Sequence, residues 1–301
     1  MPAYGKVSVW STVALIAIGA SWYGLRDHKS VETAEPKVAE THEQPATQHG
    51  VSSPKSYGEV ESSQWRSADF SSAADRFSEL LAHAKAGDVI AQRELGNLYQ
   101  RCSVFSLSAS NMNSMLDTFA KMRGEPDGAY DDIKGRFSMT CTAVDGGQVI
   151  PREAYMNWFE RAARQGDAFS KIAVASANFS SLKADDYQSI ARDAINSGDA
   201  EAIFALGDLL AIAPESIDLA EFRSVSGGPY ANYAWGIVAC RMGAECGAGS
   251  FRMDSLCINT GMCGSEGFEE AIRTDAVPLG QHESLDKAIV EVQRVIGKKA
   301  T

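Results

Sequence analysis

The sequence predicts an all-α fold built from repeated pairs of helices. Three segments align with one another: Leu80 to Tyr99, Trp158 to Asn178 and Ser189 to Leu210. Each contains an apolar stretch of helical periodicity, a Gly-Asp dipeptide and a second apolar stretch. Beyond Trp65 the chain is rich in Ala, Leu and Glu and has few runs of alternating β-branched residues, which are typical of strands. Together these observations predict a helical repeat domain over residues 65–301.

The N-terminal segment, residues 1–25, is predicted to be a signal anchor. Its apolar run begins at Val7 and has about the length that crosses the hydrocarbon core of a bilayer as a helix. Trp22 and Tyr23 lie at its far end, where aromatic side chains meet the membrane interface. Small residues near that end leave a cleaved signal peptide open as the alternative. We therefore expect either a transmembrane helix or a signal sequence here.

Residues 26–64 are predicted to be a disordered linker. They contain almost no large apolar residues and repeat Pro, Glu, Ser, Thr and Gln. Such a segment cannot bury enough apolar surface to offset the entropy of ordering. His28, His42 and His49 are scattered through it at a spacing that does not favour a metal site.

The repeated turns explain how each helix pair is formed. Glycine can adopt the left-handed conformation that ends one helix, and aspartate can cap the amide groups that open the next. A small residue follows each Asp by three positions and an apolar residue by seven, which would allow the paired helices to approach closely. The turns are Gly87-Asp88, Gly166-Asp167 and Gly198-Asp199, followed by Ala91 and Leu95, Ser170 and Val174, and Ala202 and Leu206.

The motifs around these turns resemble the Sel1-like branch of the TPR superfamily. The family pattern of an aromatic helix, AA-x-x-G-D-x-x-A and L-G-x-L-Y is matched in two parts of the chain. The matching residues are Trp158, Phe159, Ala162, Ala163, Gly166 and Asp167, and Leu95, Gly96, Leu98 and Tyr99. The resemblance covers about half of the chain and implies an α-solenoid that binds other proteins. Phe169 and Ser170 depart from it, because small residues, usually Ala, are expected there.

Two further parts of the domain lack the repeat motif. Residues 101–150 are expected to hold two helices, near Ser108 to Met122 and Ala129 to Cys141. The C-terminal part is expected to consist of degenerate repeats with turns at Gly243 and Gly261, ending in a helix over Glu283 to Ile296. It is similar to Cys-rich tails of uncharacterised envelope proteins of proteobacteria of the xanthomonad type, a resemblance that implies an envelope location.

An even set of cysteines lies wholly beyond the N-terminal segment, which fits an exported protein with disulfide bonds. They are Cys102, Cys141, Cys240, Cys246, Cys257 and Cys263. The last four have the spacing C-x5-C-x10-C-x5-C, whereas structural zinc sites usually contain a closer pair. A redox-active pair stays open, although no C-x-x-C motif favours one.

Hairpin geometry predicts how the first of these cysteines pair. If the chain turns at Gly243, Cys240 and Cys246 lie three residues either side of the turn and face each other. If the stretch from Cys246 to Cys257 is largely one helix, those two residues are too far apart to bond. A bond between Cys240 and Cys246 follows.

The same reasoning pairs the other four cysteines. Cys257 and Cys263 straddle Gly261 less symmetrically, and Cys102 and Cys141 then remain for each other. The long closure between Cys102 and Cys141 is expected to stabilise the fold by a few kcal/mol, and each short closure by about 2 to 3 kcal/mol. Reduction should therefore loosen the C-terminal part before the repeats.

Composition and motifs favour a binding protein over an enzyme. The formal net charge of −11 excludes a basic nucleic-acid interface, which needs clustered Lys and Arg. G-x-S-x-G, H-E-x-x-H and Walker motifs are missing, so no catalytic residue, metal or cofactor is predicted. A helical transglycosylase acting on peptidoglycan would use a Glu, often followed by Ser, as at Glu215 and Glu283. Both glutamates are expected at helix starts, where carboxylates commonly serve as caps.

Four residues form the candidate partner-binding surface: Tyr155, Trp158, Arg161 and Arg164. Their spacing along a helix places them near one another. The alternative is that Trp158 packs against the neighbouring repeat. The sequence thus predicts a periplasmic interaction scaffold anchored to the inner membrane, with an unidentified protein partner and no small-molecule substrate. A peptidoglycan-acting enzyme and a secreted, effector-like binding protein are the alternatives.

Overall fold

The computed structural model describes residues 70–297, and all regular secondary structure in that range is helical. The all-α prediction is confirmed for this part of the chain. The predicted signal anchor and linker, residues 1–64, lie outside the described residues. Among the helices of residues 70–297, none combines the length and the apolar character needed to cross a membrane.

Thirteen α-helices make up the described part of the chain. They are α1 (Phe70–Lys85), α2 (Val89–Leu107), α3 (Ala109–Arg123), α4 (Asp131–Ala143), α5 (Arg152–Arg164), α6 (Ala168–Ala177), α7 (Ala184–Ser197), α8 (Ala200–Ala211), α9 (Arg223–Ser226), α10 (Ala231–Arg241), α11 (Phe251–Thr260), α12 (Phe268–Ala271) and α13 (His282–Gly297). Four short 3-10 turns and a π turn at Ile272–Ala276 connect some of them. The helices expected between residues 101 and 150 are α3 and α4, and the expected last helix is α13.

The three aligned segments form the helix pairs α1/α2, α5/α6 and α7/α8. Helices of neighbouring pairs also pack on one another: α2 on α5, α6 on α8, and α8 on α10. Helix α13 packs on α10 at the far end of this series. The small residues after the turns lie at the helix interfaces, since Ala91, Ser170 and Ala202 are fully buried.

Two hydrophobic clusters form the core of the described residues. The first gathers side chains of α1 to α4, with Leu80, Leu95 and Leu116 fully buried. The second extends from α6 to α13 and includes Leu206 and Trp235. Helix α11 contributes to both, because its residues divide between the two clusters.

Candidate functional site

The repeated Gly-Asp turns have the geometry that the sequence predicts. Gly87, Gly166 and Gly198 have φ values of 98°, 99° and 69°, in the left-handed region that favours glycine. Each aspartate caps the following helix by accepting a hydrogen bond from the amide three residues later. The capped amides are Ala91 N at 2.9 Å from Asp88 Oδ1, Ser170 N at 2.7 Å from Asp167 Oδ1, and Ala202 N at 3.1 Å from Asp199 Oδ1.

Arg93 joins these turns to one another. Its guanidinium Nη1 lies 3.4 Å from Asp167 Oδ2 and also donates to Asp199 Oδ2, while Nε donates to Glu94 Oε1 at 3.1 Å. Arg93 lies on α2 and the two aspartates cap α6 and α8, so one buried cation connects all three helix pairs. Burial alone would lower the pKa of Arg93, but the three carboxylates raise it. Arg93 was not among the predicted site residues, and no sequence motif marks it.

In two of the three helix pairs, a glycine eight residues after the turn aspartate provides room for an aromatic residue of a neighbouring helix. A Cβ added at Gly96 would lie 2.8 Å from ring carbons of Phe159. One added at Gly207 would meet Trp235 Cβ and lie 2.9 Å from Trp235 Cγ. Phe159 and Trp235 are both fully buried, so these glycines set how closely neighbouring pairs approach.

The predicted partner-binding residues lie on α5 and are only partly assembled into one surface. The guanidinium carbon of Arg161 lies 4.8 Å from the centroid of a Trp158 ring, a cation–π contact. Trp158 and Tyr155 are half-buried against the first hydrophobic cluster, whereas Arg161 and Arg164 are exposed. Arg164 lies 3.8 Å from Glu160 and so pairs along its own helix.

The six cysteines form the three pairs that hairpin geometry predicted. The Cα–Cα distances are 5.2 Å for Cys102 and Cys141, 5.6 Å for Cys240 and Cys246, and 4.6 Å for Cys257 and Cys263. Three disulfides indicate an oxidising compartment outside the cytoplasm.

The backbone brings these cysteines together in a different way from the predicted helical hairpin. The stretch from Cys246 to Cys257 is not one helix, because α11 begins at Phe251 and a turn precedes it. No helical hairpin forms at Gly243 either. Each short disulfide instead joins the last turn of a helix to the loop that follows it, which brings residues six positions apart together without a second helix.

Arginines that the sequence analysis missed attach α11 to the first half of the domain. Arg136 of α4 donates two hydrogen bonds to Asp254, at 2.8 and 2.6 Å. Arg123 donates to the carbonyl oxygens of Cys257 and Ile258, at 3.0 and 2.8 Å. Asp254 is 3% exposed, so its bidentate pairing with Arg136 satisfies a buried carboxylate.

On its other side, α11 is attached to α8 through Arg252 and Glu201. Arg252 donates to Glu201 Oε2 at 2.8 Å, and its guanidinium carbon lies 3.6 Å from the centroid of the Phe204 ring. The amide of Glu245 also donates to Glu201 Oε1 at 2.7 Å. Burial alone would raise the pKa of Glu201, but Arg252, this amide and Arg101 lower it below its ordinary value.

Replacing Glu201 with glutamine is expected to remove one part of the acid sensitivity of the fold. A carboxylate with a lowered pKa stabilises the folded state above its unfolded-state pKa, and this stabilisation is lost as pH falls through the folded-state pKa. Glu201→Gln should therefore lower the free energy of unfolding by about 2 kcal/mol at pH 7. The difference from wild type should shrink below the ordinary glutamate value of 4.5. Urea unfolding between pH 7 and pH 3 measures it, and a pH-independent difference would contradict the assignment.

The glutamates of the minimal transglycosylase pattern do not converge with other polar groups. Glu215 was expected at a helix start but lies exposed in the turn between α8 and α9. Glu283 lies in the first turn of α13, as expected, and pairs with Lys287 at 2.7 Å. Within residues 70–297, His, Cys, Asp and Glu form no group of three or more that could hold a metal ion.

No family model, curated protein or solved structure matches the chain.

Proposed function

We propose that this protein is a non-enzymatic scaffold for protein–protein interactions in the bacterial cell envelope. In this proposal the helix pairs form a Sel1-like α-solenoid, held in the periplasm by the N-terminal segment. The main support for this proposal is the pair of ion pairs that Arg93 forms with Asp167 and Asp199, since they fix three helix pairs relative to one another. A stack fixed in this way presents its surface residues in a constant arrangement, which lowers the entropy lost when a partner binds.

The α5 surface has the chemistry of a protein-binding site. Trp158 offers a half-buried aromatic surface, and the exposed Arg161 lies over its ring. Tryptophan and arginine are the residue types that most often dominate the energy of protein interfaces. The proposed partner therefore contacts Trp158 with an apolar side chain and Arg161 with a carboxylate.

The disulfides support the proposed location. Cytoplasmic reductants keep most thiols reduced, whereas all six cysteines of this chain are paired. An extracytoplasmic scaffold also agrees with the expected signal anchor at residues 1–25.

Charge reversal at Arg161 tests the proposed surface. We expect Arg161→Glu in the full-length chain to reduce partner capture from an envelope extract at least about tenfold, because an interface charge is reversed. Because the side chain of Arg161 is exposed, the variant should fold as the wild type does, and circular dichroism checks this. Proteins captured by the wild type under oxidising conditions are quantified by mass spectrometry.

Arg192→Ala is the matched control, because Arg192 is an exposed arginine on α7 with its side chain 51% accessible. It should capture the same proteins as the wild type. Equal capture by Arg161→Glu and the wild type would contradict the α5 surface. Cleavage of purified peptidoglycan by the chain would contradict the non-enzymatic function.

A further inference from the structure

Residues 246–267 form a lobe whose two ends are joined at a narrow neck. At the neck, Phe268 N donates to Cys246 O at 3.0 Å and Ala248 N donates to Glu266 O at 2.9 Å. Gly247 and Gly267 form an isolated β-bridge between these bonds. Helix α11 lies within the lobe, so movement at the neck would move the whole helix.

The lobe packs against both hydrophobic clusters of the domain. Met253 belongs to the second hydrophobic cluster, whereas Cys257 and Ile258 belong to the first. Phe251 lies 6.0 Å from Phe137, measured between ring centroids. The polar attachments of α11 are the pair between Arg136 and Asp254 on one side and that between Arg252 and Glu201 on the other. Arg123 also donates to the carbonyl oxygens of Cys257 and Ile258 on the first side.

The disulfides differ in how far they are protected. Cys102 and Cys141 are 0% and 1% exposed, within the first hydrophobic cluster. Cys240 and Cys246 are partly buried against the second hydrophobic cluster, and their bond ties the neck of the lobe to the end of α10. Cys263 is exposed, but its partner Cys257 is 6% exposed within the first cluster, so attack at Cys263 would leave the Cys257 thiolate in apolar surroundings. The bond at the neck is therefore less protected from a reductant in solution than the bond in the core.

Arg252 lies where it would favour reduction of the bond at the neck. Its Nη1 is 3.6 Å from Cys246 Sγ. A guanidinium stabilises a neighbouring thiolate, and a stabilised thiolate is the better leaving group in disulfide exchange. The same guanidinium attaches the lobe to Glu201, so the neck bond and the lobe contact share one residue.

We propose that the disulfide between Cys240 and Cys246 is a redox latch, reduced by a dithiol protein, that controls release of the lobe. A thiolate of the dithiol attacks Cys240 Sγ, and Cys246 leaves as a thiolate beside Arg252. The second thiol of the dithiol then attacks the mixed disulfide and releases Cys240. Two electrons pass to the chain, and the dithiol becomes a disulfide. Release of the lobe uncovers Phe137 and Phe204, which α11 and its arginine now contact.

Reduction of the oxidised full-length chain by dithiothreitol tests the order of bond cleavage. Alkylation at timed intervals and peptide mapping give the rate for each bond. The bond between Cys240 and Cys246 should be reduced at least about tenfold faster than that between Cys102 and Cys141. Arg252→Gln should slow its reduction relative to Arg252→Lys, which keeps a positive charge near Cys246. Equal rates for the two bonds would overturn the latch, and equal rates for the two variants would overturn the role of Arg252.

Hydrogen exchange tests whether the latch controls the lobe. Exchange of the α11 amides should rise about tenfold or more in the double variant Cys240→Ser and Cys246→Ser, because the neck loses its covalent tie to α10. Exchange of the α2 amides should stay unchanged. The matched control is Cys257→Ser and Cys263→Ser, which removes a bond of equal sequence separation and keeps the neck bond. In the control, hydrogen exchange of the amides at the neck should stay slow until dithiothreitol reduces the bond between Cys240 and Cys246. Unchanged exchange of α11 in the first double variant would overturn the proposal.

Discussion

Gly207→Ala is expected to destabilise the protein by about 3 kcal/mol or more, because the added methyl group has no space. Its Cβ would overlap Trp235 Cβ and lie 2.9 Å from Trp235 Cγ. The Trp235 Cβ is fixed to the backbone of α10, so rotation of the side chain cannot relieve the contact. Helices α8 and α10 would have to separate, and fully buried neighbours would lose packing. Urea unfolding of the full-length chain measures the change in free energy.

Gly135→Ala is the matched control within a helix. Gly135 lies in α4, and a Cβ added there meets no atom within 4 Å. Alanine has the higher helix propensity, so this variant should be more stable than the wild type by about 0.5 to 1 kcal/mol. Opposite signs for the two Gly→Ala changes would show that Gly207 is required for close approach. Destabilisation of less than about 1 kcal/mol at Gly207 would contradict the observed contact between α8 and α10.

Arg93→Ala is expected to destabilise the protein by about 3 to 5 kcal/mol, because it leaves the buried carboxylate of Asp167 and the partly buried one of Asp199 without their cation. The side chain of Asp167 is 6% accessible and that of Arg93 11%. Removing the guanidinium also separates the α2 helix from the caps of α6 and α8. Arg93→Lys should recover part of this loss, because an ammonium restores the charge but lacks the planar fork that reaches several carboxylates. Thermal and urea unfolding measure the three proteins.

Arg192→Ala again serves as the control, now for stability. Its pair with Glu221 joins side chains that are both 51% accessible, and exposed pairs contribute little to stability. We expect a change within about 0.5 kcal/mol. If Arg93→Ala and Arg192→Ala cost the same, Arg93 does not hold the helix pairs together.

Local chemistry made the turns and helices predictable. A left-handed Gly followed by a capping Asp is a property of two adjacent residues, so the three pairs α1/α2, α5/α6 and α7/α8 could be identified from sequence. The inserted helices α3 and α4 were predicted within one or two residues at each end, although they lack the Gly-Asp turn. Two of the cysteine pairs also followed from short sequence separations, and Cys102 and Cys141 then remained for each other.

In the C-terminal half, the secondary structure of two segments differs from the prediction. The pairing argument considered one helix from Cys246 to Cys257, but glycines around the neck allow the chain to turn back before Phe251. Glu215 was likewise expected to begin a helix, but it lies in a turn that no helix directly follows. The spacing of apolar residues did not reveal either difference, because both depend on which distant surface the segment packs against.

The sequence by itself determined the helical class, the turns and the two short disulfides, because these depend on residues close together in the chain. Only the tertiary structure decided the partners of Arg93, the fit of Trp235 against Gly207 and the position of α11 between Arg136 and Glu201. These contacts join residues far apart in sequence, and a charged or aromatic residue carries no local mark of the distant residue it will meet. Their geometry follows from how whole helices pack, which the spacing of residues along one helix does not specify.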